Sequence, residues 1–126
     1  MSAEIVDQPP PVPNDGASMH DLVSEDLDRW MPHAAGAPAL RADLADRKQV
    51  GLERYGTTLQ AGNGRNALVD AYQEALDLLV YLRQAMTERG WPSAEAGGLV
   101  DAYVSALRSA LRVRTLIDSD RPALDR

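Results

Sequence analysis

The chain has 126 residues, of which 44% are hydrophobic, and it carries a formal net charge of −6 and no cysteine. This length and composition fit one domain with an aliphatic core. They exclude a disulfide framework or a thiolate metal site, and the basic surface of a nucleic-acid-binding protein. The start, MSAEIVDQPP, lacks the basic and apolar regions of a signal peptide, and no apolar run is long enough to span a membrane. We therefore expect a soluble, cytoplasmic protein with neither a nucleic acid nor a membrane as partner.

The chain begins with a proline-rich segment and continues with four predicted helices. Residues 1–17 contain PPPVP and are expected to form a flexible tail, because this composition can bury little apolar surface. Residues 18–118 are expected to form the helical domain, and residues 119–126 are expected to fray. The predicted helices run from Ser18 as N-cap to Pro32, from about Pro38 to Arg54, from about Ala67 to Arg89, and from Ala96 or Leu99 to Ile117. No segment predicts a strand, so the predicted fold class is all-α.

The third predicted helix carries a single line of acidic residues. Asp70, Glu74, Asp77 and Tyr81 stand at i, i+4, i+7 and i+11, which places them on one stripe of the helix. The simplest interpretation is a solvated face, with Tyr81 contributing to the core instead. However, the stripe has like charges one turn apart and no base among them, which costs a few tenths of a kcal/mol per pair.

A repeated pentapeptide provides an internal comparison for this stripe. LVDAY occurs at 68–72 and again 31 positions later (99 − 68), at 99–103. The second copy keeps the apolar frame but has Ser105 and Arg108 where the first has Glu74 and Asp77. Packing therefore does not require the two acids. Carboxylates that repel one another are explained by a cation between them, and hard oxygen ligands suit Mg²⁺.

The same acids lie in a stretch that resembles a known family. Glu74-Ala75-Leu76-Asp77, followed by LLVYL, resembles the second acidic motif, ExxD, of the all-α nucleotide pyrophosphohydrolases of the MazG-like superfamily. RKQVGLERYGTTLQ (47–60) with Asn63-Gly64-Arg65 is similar to short phage and prophage members, and the resemblance covers roughly residues 40–90. It implies a four-helix MazG-like bundle completed by dimerisation, as a homodimer or a dimer of dimers. It also implies cleavage of a (deoxy)nucleoside triphosphate to the monophosphate and pyrophosphate, with Mg²⁺ as cofactor and Mn²⁺ able to replace it.

The resemblance also implies roles for individual residues. Glu74 and Asp77 are the expected metal ligands, and the catalytic acid that orients the attacking water is expected to be Asp70 or an acid on the second helix. Phosphate contacts are expected from basic residues on the second helix and in the loop that follows it, although a solvated charge explains each of them as well. These basic residues are Arg65, Arg54, Lys48 and Arg47.

A non-catalytic module is the alternative interpretation. The family's usual first motif, ExxE on the preceding helix, is absent from the sequence. Two replacements as metal ligands stay open: Asp43 with Asp46, which give DxxD, or Asp46 with Glu53, which share a face. The absence of the ExxE motif supports a helical regulatory or assembly protein of phage or prophage origin that keeps the fold without the reaction.

The apolar residues of the fourth predicted helix indicate that the chain forms an oligomer. The helix has apolar residues on more than one side, Leu107 and Leu111 among them, and one small core can cover only part of that surface. A symmetric homodimer is the commonest way to bury the remainder.

Overall fold

Helices make up most of the structure, a computed structural model that describes residues 8–120. A short 3-10 turn, Ala94–Ala96, precedes the last helix. Within residues 8–120 there is no β-strand, and the one bridge there is an isolated antiparallel pairing of Ser18 with Gln60. The prediction of an all-α fold is thereby confirmed, whereas the MazG-like arrangement and dimerisation stay predictions. The four helices are α1 (Met19–Trp30), α2 (Ala37–Tyr55), α3 (Ala67–Glu88) and α4 (Gly97–Asp120).

The helix ends lie within one turn of their predicted positions. Gly56 follows α2 in the left-handed conformation, with φ 72°, and its N–H donates to the Leu52 carbonyl. A glycine is favoured there because other residues pay a steric cost at positive φ. At the other end of the chain α4 continues to Asp120, so the part of the expected frayed end that the structure describes is helical. Residues 121–126 lie outside the described residues.

The start of α1 differs in one detail from the expected cap. Ser18 occupies the N-cap position, but its side chain makes no capping hydrogen bond. Ser18 is instead bridged to Gln60, and the N–H of Met19 donates to the Leu59 carbonyl at 2.9 Å. A backbone carbonyl from a loop therefore satisfies the first free N–H of the helix, a role that a cap side chain often has.

The described chain divides into two compact units, one of residues 9–65 and one of Gln8 with residues 66–120. The first unit contains α1 and α2. Two ion pairs join these helices, one between Lys48 and Asp21 at 2.8 Å and one between Arg41 and Asp28. All four side chains are partly or fully exposed to solvent, so each pair contributes about 1 kcal/mol at most.

The proline-rich segment is fastened to the loop between α2 and α3. The N–H of Val12 donates to the Asn63 carbonyl at 2.8 Å, and the N–H of Asn14 donates to Gln60 Oε1 at 2.8 Å. Gln60 Nε2 donates to the carbonyls of Asn14 and Gly16, the latter at 3.1 Å. At 8–17, where the structure describes it, the segment expected to be a flexible tail is hydrogen-bonded to this loop, because the buried amide side chain of Gln60 supplies partners for its backbone. Residues 1–7 lie outside the described residues.

The second unit is a hairpin of α3 and α4. Tyr72, near the start of α3, lies beside Arg114, near the end of α4, so the helices are antiparallel; the guanidinium is 5.5 Å from the ring centroid. The turn between the helices contains Gly90 at φ 77° and a cis peptide bond between Trp91 and Pro92. Small side chains dominate the interior, which lets the helices approach closely. Its buried residues are Val69, Met86, Ala96, Ala106 and Ala110.

Candidate functional site

The acidic stripe, defined as Asp70, Glu74 and Asp77, lies on the face of α3 that points away from α4. Glu74 and Asp77 are exposed, and Tyr81 in the same line is 65% exposed. The opposite side of the helix, which includes Leu79, is half buried. In a two-helix hairpin each helix packs along one side, so the other side can carry charge. The expectation that Tyr81 belongs to the core is wrong, because the core lies on the opposite side.

Two carboxylates of the stripe are available to a ligand. Neither Glu74 nor Asp77 has a hydrogen-bond or ion-pair partner within residues 8–120. They stand three residues apart, so both project from the same side of α3. Their oxygens are hard donors of the kind that Mg²⁺ prefers, and Mg²⁺ commonly uses one or two carboxylates and completes its coordination with waters and phosphate oxygens. The donor set therefore fits the expected cation.

The third acid of the stripe is held in place by the N-terminal segment. Gln8 Nε2 donates to Asp70 Oδ1 at 2.8 Å, and Gln8 Oε1 accepts from the N–H of Asn66 at 2.5 Å. Asn66 is the N-cap of α3, and its Oδ1 accepts from the N–H groups of Leu68 at 3.1 Å and Val69 at 3.3 Å. Neither Gln8 nor Asn66 was a predicted site residue. An asparagine before an apolar run is a recognisable cap signal, whereas a glutamine in a proline-rich segment carries no signal of its own.

The acidic residues of α2 belong to the other unit, 9–65. Asp43, Asp46 and Glu53 are all exposed and lie on the side of α2 opposite its buried Ala37. Glu53 Oε1 accepts a hydrogen bond from Gln49 Nε2 at 3.3 Å. Asp43 with Asp46, and Asp46 with Glu53, are both exposed pairs on the same side of α2. Either pair therefore stays a candidate set of metal ligands.

The expected phosphate-binding residues have different surroundings. Lys48 Nζ donates to both carboxylate oxygens of Asp21, at 3.0 and 2.8 Å, and Arg54 lies over the Tyr55 ring, 6.0 Å from its centroid. Arg65 Nη1 donates to the Pro9 carbonyl at 2.8 Å. Arg47 is exposed. Lys48 and Arg65 thus have structural roles, and phosphate binding by any of the four stays a prediction.

Neither a cluster of possible metal ligands nor a comparison with known proteins assigns a function to further residues. Among residues 8–120 no three histidine, cysteine, aspartate or glutamate side chains form a group that could hold a metal ion. None of the helices in that part of the chain has the length and apolar character needed to cross a membrane. The chain matches no protein-family model, no curated protein and no solved structure.

Proposed function

We propose that the chain is a Mg²⁺-dependent nucleotide pyrophosphohydrolase that cleaves a (deoxy)nucleoside triphosphate to the monophosphate and pyrophosphate. The observation that carries the proposal is the pair Glu74 and Asp77, which is exposed and has no hydrogen-bond or ion-pair partner among the described residues. The second LVDAY copy forms a helix without these acids, so the fold does not require two like charges at these positions. A bound cation would explain the two acids, because it would offset the repulsion between their carboxylates.

Each residue of the stripe has a separate role in this proposal. Glu74 and Asp77 would hold Mg²⁺, which when bound stabilises charge on phosphate oxygens and lowers the pKa of a coordinated water. Asp70 would accept a hydrogen bond from the attacking water, since a carboxylate has about four acceptor positions. Arg65 lies in the loop just before α3 and is the candidate contact for a phosphate oxygen.

The test is a screen of the common NTPs and dNTPs with Mg²⁺ or Mn²⁺, in which release of pyrophosphate is measured. Glu74→Gln and Asp77→Asn should each lower turnover about a hundredfold or more, because they remove electrostatic stabilisation of the transition state. Asp101→Asn is the matched control: Asp101 is the exposed counterpart of Asp70 in the second LVDAY copy and lies on α4. Near-full activity of Asp77→Asn at saturating Mg²⁺, with unchanged helicity, would show that the site is elsewhere.

A non-catalytic helical regulatory or assembly module is the second candidate. It is favoured by one observation: within residues 8–120 the acids form no group of three that could hold a metal ion. Thermal melting separates the two candidates. A ligand present at a hundred times its dissociation constant stabilises the folded state by about 2.7 kcal/mol. The enzyme should therefore melt higher with Mg²⁺ and a non-hydrolysable nucleoside triphosphate, and the module should not.

A further inference from the structure

The loop between α2 and α3 contains an asparagine with a reactive neighbour. Asn63 precedes Gly64, and this is the only Asn-Gly sequence in the chain. Because glycine has no side chain, its backbone N can reach the side-chain amide of the preceding asparagine with little steric hindrance. The only Asp-Gly sequence, Asp15-Gly16, can react in the same way, and it lies in the segment that is fastened to this loop. Both dipeptides thus belong to one attachment.

Two hydrogen bonds hold the groups of Asn63 and Gly64 that would react. Oδ1 of Asn63 accepts from the N–H of Arg65 at 3.1 Å, and the backbone carbonyl of Asn63 accepts from the N–H of Val12 at 2.8 Å. The first bond restrains the side-chain amide, and the second restrains the peptide plane that contains the Gly64 N. Asn63 is also buried, with 9% of its residue surface accessible. Attack needs both groups to rotate, so it needs this part of the loop to open.

The N-terminal segment, residues 8–17, keeps this part of the loop closed. Its backbone carbonyls accept hydrogen bonds from residues on both sides of Asn63. Gln60 Nε2 donates to the Gly16 carbonyl at 3.1 Å, and Arg65 Nη1 donates to the Pro9 carbonyl at 2.8 Å. The segment is exposed from Pro9 to Gly16 and is held by hydrogen bonds rather than by apolar burial. It can therefore detach at a lower free energy than the unfolding of the helices requires.

We propose that Asn63 is a site of spontaneous deamidation, that its rate is set by detachment of the N-terminal segment, and that the product prevents reattachment. The Gly64 N forms a bond to Asn63 Cγ, and the Cγ–Nδ2 bond breaks. The proton of the Gly64 N–H passes through solvent to the departing Nδ2, which leaves as ammonia. Water then opens the resulting cyclic imide at either of its carbonyls. One opening gives aspartate, and the other gives isoaspartate, in which the main chain runs through the former side chain.

The isoaspartate product removes the attachment that protected the site. It lengthens the main chain by a methylene at position 63, and the carbonyl that accepted from Val12 becomes part of a free carboxylate outside the main chain. The turn that the Arg65 N–H closes is lost with it. The aspartate product instead keeps the length of the main chain, and its carboxylate can accept from the same N–H. Isoaspartate formation therefore makes a reversible detachment permanent, and the fraction of detached chains increases with the age of the protein.

The first test measures the deamidation rate of the full chain at neutral pH. After digestion, mass spectrometry follows the replacement of NH₂ by OH in the peptide that contains Asn63. Gln60→Ala should raise the rate about 5- to 30-fold, because the rate follows the population of the open loop and the variant loses hydrogen bonds that keep it closed. Deletion of residues 1–16, which removes most of the segment itself, should raise the rate at least as much.

Two references accompany these variants. Gln49→Ala is the matched control, since Gln49 is exposed on α2 and contacts Glu53 rather than the attachment, and it should leave the rate unchanged. The full chain unfolded in guanidinium chloride gives the rate of the unprotected sequence, which should exceed that of the folded chain. The proposal is overturned if the folded and unfolded chains deamidate at the same rate, or if Gln60→Ala and the deletion both behave like Gln49→Ala.

The second test examines what the modification does to the attachment. The isoaspartate form, purified from aged protein, should lose the protection of the Val12 N–H against hydrogen exchange. Freshly prepared Asn63→Asp is the matched control, because it adds the same charge but keeps the main-chain length, and its Val12 N–H should stay protected. The N–H of Met31, which donates to the Leu27 carbonyl, should exchange equally in all three chains. An isoaspartate form with an unchanged exchange rate at Val12 would show that the modification does not prevent reattachment.

Discussion

Replacing Gln60 by alanine should lower the free energy of unfolding by about 2 kcal/mol. Gln60 is buried, with 8% of its residue surface accessible to solvent. It accepts one hydrogen bond from Asn14 and donates two, to the carbonyls of Asn14 and Gly16. Each such bond contributes about 0.5–1.5 kcal/mol net. Asn14 and Gly16 are exposed, so water can solvate the groups that are freed, and the lower part of the summed range applies.

The assay is urea denaturation followed by circular dichroism, with thermal melting alongside. A loss of about 2 kcal/mol corresponds to roughly 6–12 °C for a chain of this size. Gln49→Ala is the matched control, because Gln49 is exposed and makes only a 3.3 Å contact with Glu53 one turn away. It should stay within about 0.5 kcal/mol of the unmodified protein, as surface substitutions usually do.

Gln60→Glu separates the hydrogen bonds from the packing. A glutamate keeps the carbon skeleton but cannot donate, so it would set a carboxylate against the carbonyls of Asn14 and Gly16. It should therefore destabilise at least as much as alanine. If both Gln60 variants fell within 0.5 kcal/mol of Gln49→Ala, the prediction would be wrong, because the attachment of the N-terminal segment would then contribute nothing to stability.

Other predictions concern the N-terminal segment and the helix ends. Deleting residues 1–16 should lower the melting temperature by at least as much as Gln60→Ala, because it removes the same hydrogen bonds and those of Gln8; an unchanged melting curve would contradict this. Asn66→Ala should cost about 1 kcal/mol in urea denaturation and Asn66→Asp much less, since aspartate caps as well as asparagine. Gly51→Ala within α2 should stabilise by about 0.5–1 kcal/mol, because an added Cβ meets no atom within 4 Å. Gly56→Ala should instead destabilise by about 1 kcal/mol, because its φ of 72° strains any side chain.

The positions of the helices could be predicted from sequence because their signals are local. Apolar spacing identifies each helix, Pro32 stands just after α1, and Gly56 ends α2. These features act within one turn of the chain, so no knowledge of tertiary contacts is needed. The same holds for the acidic stripe, since a helix fixes which residues share a side.

How much of each helix is buried could not be predicted from its apolar spacing. Trp30 shares the apolar spacing of α1 and fits a core position, yet it is 71% exposed. How much of a helix is buried depends on how many elements pack against it, which periodicity does not reveal. The attachment of the N-terminal segment was also hidden from sequence. It depends on Gln60 and Gln8, two amide side chains in irregular segments, and on partners at least 44 residues away.

The repeated pentapeptide shows how the chain can carry the proposed chemistry without changing its core. The two copies open α3 and α4, and the frame that they share, such as Ala75 and its counterpart Ala106, lies towards the interior of the hairpin. The positions at which they differ point outward, so the chain can place acids on one helix and arginines on the other without disturbing its core. Asp77→Asn in the presence of Mg²⁺ therefore tests turnover without disturbing the packing of the hairpin, because the second copy forms a helix with Arg108 at the corresponding position.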